Sequence, residues 1–365
     1  MEDFTTCWEG LEDPRTGNAT LHDLHDLLMI ALCAVLSGGG NATDMAEFAR
    51  AKEPFLREFL RLPNGIPSHD TFSRLFRLLD PEKLGAAFRR FMAAFAEQCQ
   101  GVIAIDGKVL RRSHDRAKGK SALHMVSAWG CERRMVLGQV ATDAKSNEIT
   151  AVPKLLALLS LGNTIVTADA LNCQRAIARQ IVDQGGDYAL ALKNNQPTLF
   201  ADVEPFVNDP ITRAGVTVAR TVDGDHGRIE TRTGIVITDI EGIQALHQWP
   251  GPAAIGMVVR ERETADKTTR EVAYYLLSAA LTAERFLEVV RLHWRVENQL
   301  HWRLDVVMNE DQQRNRADNG PHNLAVLRHM VLNVVQKETS KGSLRGKLKR
   351  ASWDETYLRT LLGLF

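Results

Sequence analysis

The sequence predicts an α/β protein: a mixed-sheet core entered through a helical segment and interrupted by a β-rich one. Three observations predict it. Residues 1–98 carry apolar side chains at helical spacing. From Gly101 short β-branched runs alternate with amphipathic helices, and from about Asn195 to Ser278 the pattern turns β-rich before helix resumes. At 365 residues the chain has room for two or three domains and a full hydrophobic core.

In chain order, helices are expected over Leu21 to Leu36, Asp44 to Arg50, Pro54 to Arg61, His69 to Leu79 and Pro81 to Glu97. Ser68, after Pro67, is the expected N-cap of the fourth. Such a module fits a DNA-binding bundle or a cover for a sheet. Strands at Val102 to Ile105, His124 to Trp129 and Met135 to Thr142 come next. A helix at Ile149 to Leu159, a strand at Thr164 to Ala168, a helix at Gln174 to Gln184 and a strand at Tyr188 to Leu192 complete the run. Three strands, then helix, strand, helix, strand is the order of a ribonuclease-H-like mixed sheet. In that topology the first and fourth strands are neighbours. Asp106, closing the first, would meet Asp169, closing the fourth, across adjacent strand ends.

Segments Val216 to Thr221, Ile229 to Thr238, Ala254 to Val259 and Glu271 to Leu277 read as an insertion. It is expected to form a separate, mostly antiparallel lobe, with Trp249 in its core or stacked on an unpaired base. A helix from Thr282 to Met308 then carries Glu297. The expected division is 1–98 helical, 99–194 first part of the core, 195–278 insertion, and 279–365 second part of the core with a helical tail.

Composition narrows the function. Hydrophobic residues make up 44% and charged residues 25%, which excludes a disordered or fibrous chain. The longest apolar run, Leu27 to Leu36, is too short for a bilayer and lacks the basic start of a signal peptide. A cytoplasmic protein, nucleoid-associated when bound to DNA, is expected. The five cysteines show no C-x-x-C spacing for zinc or redox work and read as small buried hydrophobes. Net charge is zero, but the basic residues segregate. Lys108, Arg111, Arg112, Arg116, Lys118 and Lys120 form one group; Lys341, Arg345, Lys347, Lys349 and Arg350 form another. Each fits a solvated face as well as a phosphate track.

The chemistry lies in three acidic signatures: Ala104-Ile-Asp106-Gly-Lys108, Thr167-Ala-Asp169-Ala170 and His293-Trp-Arg295-Val-Glu297-Asn298. Two carboxylates at strand ends, completed by a Glu from a helix, can hold two divalent metal ions against a phosphodiester. Singly, Asp106 also fits a turn residue bonded to its own backbone, Asp169 a helix cap, and Glu297 a solvated side chain. Around Glu297 the spacing is four. Val296, Leu300, Leu304 and Met308 form an apolar stripe, His293, Glu297, His301 and Asp305 a polar one, and Trp294, Asn298 and Trp302 a third. His293, Glu297 and His301 are therefore also a candidate metal triad of a hydrolase. Lys193 and Gln196 follow the last core strand, where a cation and an amide suit a phosphate or a DNA end. His226, Arg228, Glu230 and Arg232 share one face of a strand, either a solvated or a DNA-gripping ribbon.

Several of these motifs occur together: Asp106-Gly-Lys, Thr-Ala-Asp169-Ala-x-x-x-Gln174, Leu192-Lys-x-Asn-Gln196, His226-Gly-Arg-x-Glu230 and His293-Trp-x-x-Glu297-Asn-x-Leu-His-Trp-x-Leu-Asp305, with Glu310-Asp311 beyond. Together they resemble the H-repeat-associated branch of the DDE insertion-sequence transposases. The resemblance covers nearly the whole chain, including Gly65-Ile-Pro-Ser-His-Asp-Thr-Phe72. It implies a catalytic triad of Asp106, Asp169 and Glu297 working with Mg²⁺, for which Mn²⁺ would substitute. It further implies DNA cleavage and strand transfer at terminal inverted repeats by a homodimer. DNA contacts are expected from Lys108, Lys193, Gln196, His226, Arg228, His293, Arg295, His301 and Arg314. The chain departs from the wider signature in carrying His293 and Leu304 where related transposases carry Arg and Lys. His293 is expected to serve as a protonated phosphate contact there. A DNA-binding relic without activity, and a metal-dependent hydrolase, are the alternative readings.

Overall fold

The computed structural model describes residues 7–96, 100–115, 119–142, 147–225 and 227–363. Helices α1 (Leu24–Leu36), α2 (Ala42–Ala51), α3 (Glu53–Leu56), α4 (His69–Leu78) and α5 (Pro81–Ala96) come first. Every residue of α1 from Asp26 to Leu36 is buried, so this helix is apolar on all faces because it lies inside the fold. Among the described residues no helix is long and apolar enough to cross a membrane. Asp23 caps α1 by accepting from the backbone of His25 and Asp26. Ser68 caps α4 through the Thr71 amide, as expected from its position.

Strands β1 (Gly101–Leu110), β2 (Leu123–Gly130) and β3 (Met135–Ala141) form an antiparallel meander. After α6 (Glu148–Leu156), β4 (Thr164–Ala168) adds parallel to β1; after α7 (Arg175–Asp183), β5 (Asp187–Leu192) adds parallel to β4. The order β3-β2-β1-β4-β5 is the ribonuclease-H-like arrangement expected from the element sequence. One detail differs. Asp106 does not close its strand: β1 loses its parallel partner after Ile105 but continues against β2 to Leu110, with Asp106 opposite Ser127.

The β-rich segment differs more. It contains α8 (Pro197–Asn208), β6 (Val218–Asp225), β7 (Arg228–Ile237), α9 (Glu241–His247), β8 (Ala254–Thr264) and β9 (Thr268–Leu277). Its strands are antiparallel as expected, yet β9 pairs with β5, Ala189 opposite Leu277, and one nine-stranded sheet results. The expected separate lobe is thus an extension of the core sheet. An unpaired β5 edge would leave its amides and carbonyls without partners, and β9 supplies them. Trp249 is 4% exposed, with the Arg175 guanidinium 5.2 Å over its ring, so it packs and has no free face to stack on a base.

Helix α10 (Ala283–Val296) lies across the sheet. Phe286 sits against the β8 backbone at Gly256, where a Cβ would collide with its ring, so the close approach requires glycine. Helix α11 (Gly320–Lys337) is buried along most of its length and joins the N-terminal helices to the sheet. Asn323 donates to the carbonyls of Phe76 and Leu79, both at 2.8 Å. Asn333 accepts from the Val136 amide at 2.9 Å and donates to the Val136 carbonyl at 2.8 Å. The leading helices therefore cover the sheet. Helices α12 (Leu344–Trp353) and α13 (Glu355–Leu362) close the chain.

Candidate active site

The last residues paired between β1 and β4 are Ile105 and Ala168, and one step beyond them come Asp106 and Asp169. Parallel register thus puts the two carboxylates on adjacent strands. Asp169 is exposed and also caps the short turn Ala170–Asn172: its Oδ1 accepts from the Asn172 amide at 3.2 Å and from Asn172 Nδ2 at 2.9 Å. Asp106 Oδ1 accepts from the Gly107 amide at 2.9 Å, while Oδ2 faces the helix bearing Glu297.

That helix is not a uniform α-helix to Met308. Regular α geometry ends at Val296, and Glu297–His301 and Arg303–Val307 are π turns. The Trp302 amide bonds to the Glu297 carbonyl, and Met308 to Arg303, each an i→i+5 bond. The spacing of four explains the widening. In an α-helix, residues four apart drift by about 40° per step, so a four-residue stripe winds off its face. A π turn holds more residues, so its drift is opposite in sign. Val296, Leu300, Leu304 and Met308 accordingly stay on one buried face.

On the neighbouring face, ligand atoms of Asp106, Glu297 and His301 all lie within 4.8 Å of one another. His301 Nδ1 is 3.6 Å from Asp106 Oδ2 and 3.5 Å from Glu297 Oε2. His301 is buried and its Nε2 has no partner among the described residues, whereas the Glu297 carboxylate is more than half exposed. Burial and the charge of Glu297, with smaller contributions from Glu148 and Asp169, push the Asp106 carboxyl up to about 7. Burial pushes the His301 imidazole down, against the pull of Glu297. Crowded carboxylates of this kind favour a cation, and a nitrogen donor completes a mixed set.

Several expected contacts take other roles. Lys108 is a structural cation: its Nζ lies 2.7 Å from Asp305 Oδ1, 2.8 Å from Glu310 Oε2 and 3.5 Å from Asp311 Oδ1, with the side chain 9% exposed. A lysine enclosed by carboxylates cannot reach phosphate. His293 also differs from its expected charged role, because its ring is hydrogen-bonded to Thr167 Oγ1 at 3.0 Å and burial lowers it to about 4. The candidate triad of His293, Glu297 and His301 is replaced by one in which Asp106 takes the first place. Gln196 donates to the Cys173 carbonyl at 3.0 Å, holding the turn behind Asp169. Lys193, Arg228, Arg295 and Arg314 are exposed, as DNA contacts would need to be. Trp294 and Trp302 are also exposed, at 53% and 54%. His226, Arg116 and Lys118 lie outside the described residues.

Residues 97–334 match the family model described as a transposase DDE domain, and residues 5–92 match one described as DDE_Tnp_1-associated. The chain belongs to the DDE transposase family. It is 38% identical over 350 residues to "H repeat-associated putative transposase YhhI" of Escherichia coli strain K12, covering 93% of this chain and 92% of that protein. It is 45% identical over 274 residues to "Uncharacterized protein in dhlA 3'region" of Xanthobacter autotrophicus, covering 74% of this chain and 92% of that one. A solved structure of the piggyBac transposase synaptic complex with hairpin DNA aligns over 99% of this chain and 77% of its own, at 12% identity and a TM-score of 0.41.

Divalent metal use belongs to the DDE family, and the Asp106, Glu297 and His301 donors of this transposase-family chain fit such an ion. Other side chains around the site carry little signal in the sequence. Glu148, at the start of α6, sits over Gly107: its Oε1 is 3.0 Å from His124 Nε2, and its Oε2 accepts from Asn172 Nδ2 at 3.0 Å. Its only local signal is the N-cap Asn147 beside it, which marks a helix start and not a site. Glu310 lies buried beneath His301, bound to Lys108 and to Arg328 Nη1 at 3.4 Å. Its motif stood out in the sequence, but its partners lie far away in the chain.

Proposed function

We propose that this chain cuts and rejoins DNA at the ends of an insertion element, with Asp106, Asp169 and Glu297 as its catalytic carboxylates. The observation that carries the reading is the convergence of Asp106, Glu297 and His301 within 4.8 Å, beside the strand end that bears Asp169, in a chain of the DDE family. A divalent cation held by these carboxylates, Mg²⁺ with Mn²⁺ as substitute, supplies Lewis acidity and an acidified water.

In the cleavage step a water oxygen bonds to phosphorus as the bond to the 3′-oxygen breaks, leaving a 3′-hydroxyl and a 5′-phosphate. In strand transfer that hydroxyl attacks a target phosphate and displaces its 3′-oxygen. The Glu297 side chain is 57% exposed and that of Asp106 21%, so DNA would approach the carboxylates from the Glu297 side. His301, buried between them, can donate Nδ1–H to either carboxylate. Lys193, Arg228, Arg295 and Arg314 would position the backbone of double-stranded DNA without reading bases. Terminal inverted repeats are the natural substrate in this reading, and a homodimer would hold the two ends.

The test is metal-dependent nicking of a linear duplex that carries the flanking repeats of the element. Wild type should cut in Mg²⁺, while Asp106→Asn, Asp169→Asn and Glu297→Gln should each lose at least about a thousandfold. Binding without cutting by the wild-type chain would mark a DNA-binding relic. Cutting that survives all three substitutions would refute the assignment.

A further inference from the structure

We infer that Glu148 and Asn172 are positioning residues that set the Asp169 carboxylate for its metal, an inference that rests on the DDE reading above. The side chain of Asn172 is fully buried and directs its Nδ2 group to two carboxylates: Glu148 Oε2 at 3.0 Å and Asp169 Oδ1 at 2.9 Å. An amide has two N–H donors, and here both face carboxylates, which fixes its orientation. Its Oδ1 has no partner among the described residues.

Glu148 is anchored from the opposite side by His124 Nε2 at 3.0 Å, so both of its oxygens are engaged. That arrangement makes it a support for Asn172, because both of its oxygens are held by side-chain donors, whereas Asn172 engages Oδ1 of Asp169 alone. The relay His124, Glu148, Asn172, Asp169 thus runs from β2 through the start of α6 to the end of β4. It passes directly over the residue after Asp106. A Cβ on Gly107 would collide with both Glu148 and His124, so glycine at this position is what lets the pair lie there. Partners of this kind orient metal-ligating carboxylates, and losing them costs metal affinity while the ligands themselves remain.

The test is titration of Mn²⁺ alone into the full chain, with free ion counted by electron paramagnetic resonance and melting followed in parallel. Asn172→Ala and Glu148→Ala should each weaken Mn²⁺ binding about tenfold, and the double variant should be no weaker than either single one. Glu148→Gln can still accept from Asn172 and should stay within about threefold of wild type. His124→Leu, at a partly exposed position, removes the Nε2 donor that anchors Glu148 and should weaken binding about threefold, which keeps the test open if the alanine variants fail to fold. Unchanged Mn²⁺ affinity in these folded variants, with Asp106→Asn losing the ion, overturns the positioning role alone. Mn²⁺ binding that survives Asp106→Asn, Asp169→Asn and Glu297→Gln overturns the DDE reading itself.

Discussion

Lys108 Nζ lies 2.8 Å from Glu310 Oε2 across 202 residues of chain, and both side chains are buried beneath the site. Burial alone would raise the Glu310 carboxyl, but Arg328 and Lys108 outweigh it and hold the group below its usual range. Replacing Lys108 with Met leaves Glu310 with Arg328 as its remaining cation. The expected loss is about 3 kcal/mol of unfolding free energy, typical of a broken buried pair. Urea denaturation measures it. Had Lys108 been a phosphate contact, the same substitution would weaken DNA binding and leave stability unchanged.

Acid should destabilise the fold well before its carboxylates are all protonated. His293, His322 and His329 are each lowered from 6.5 to about 4 by burial, so they stay neutral in the folded chain. Their contribution is complete above pH 6.5 and is lost as pH falls toward 4, because the unfolded chain takes up protons that the folded one refuses. Asp106 opposes this, since a carboxyl raised to about 7 gains a proton on folding and stabilises as pH falls below 7. Three imidazoles against one carboxyl leave a net loss. Asp106→Asn should therefore stabilise the ion-free chain at pH 8 by roughly 2 kcal/mol and steepen the acid loss. Melting curves from pH 8 to pH 4, with chelator present, test both.

The widened turn at Glu297 should be separable from the fold. Asn298 is exposed, and removing it lets the Glu297–His301 turn close with α geometry while the residues on either side keep their places. Glu297 and His301 would then be three apart, still on one face of an α-helix but turned about 60° from one another around its axis, so their ligand atoms lose the convergence on Asp106 that the π turn gives. Mn²⁺ affinity should fall about tenfold or more, with only a modest drop in melting temperature. Collapse of the fold on this deletion would show that the turn serves packing instead.

The order of strands and helices was legible because burial imposes period two or 3.6 on local sequence, and the β1 and β4 neighbourhood followed from that order. Asp106, Asp169 and Glu297 were legible as carboxylates at the ends or on the faces of such elements. The spacing of four after Glu297 was visible too, although its meaning as a π turn depends on which residues the core accepts.

What only the tertiary structure decided is which groups meet. The pairing of β5 with β9 made one sheet where the sequence suggested two units, since an edge strand is completed by whatever strand the fold brings beside it. Lys108 looked like a DNA contact until Asp305 and Glu310 enclosed it, and His293 looked cationic until Thr167 and burial held it neutral. Glu148 carried no sequence signal of its role at all. Periodicity is a property of neighbours in the chain, but charge state and hydrogen bonding depend on neighbours in space, and those lie tens to hundreds of residues apart.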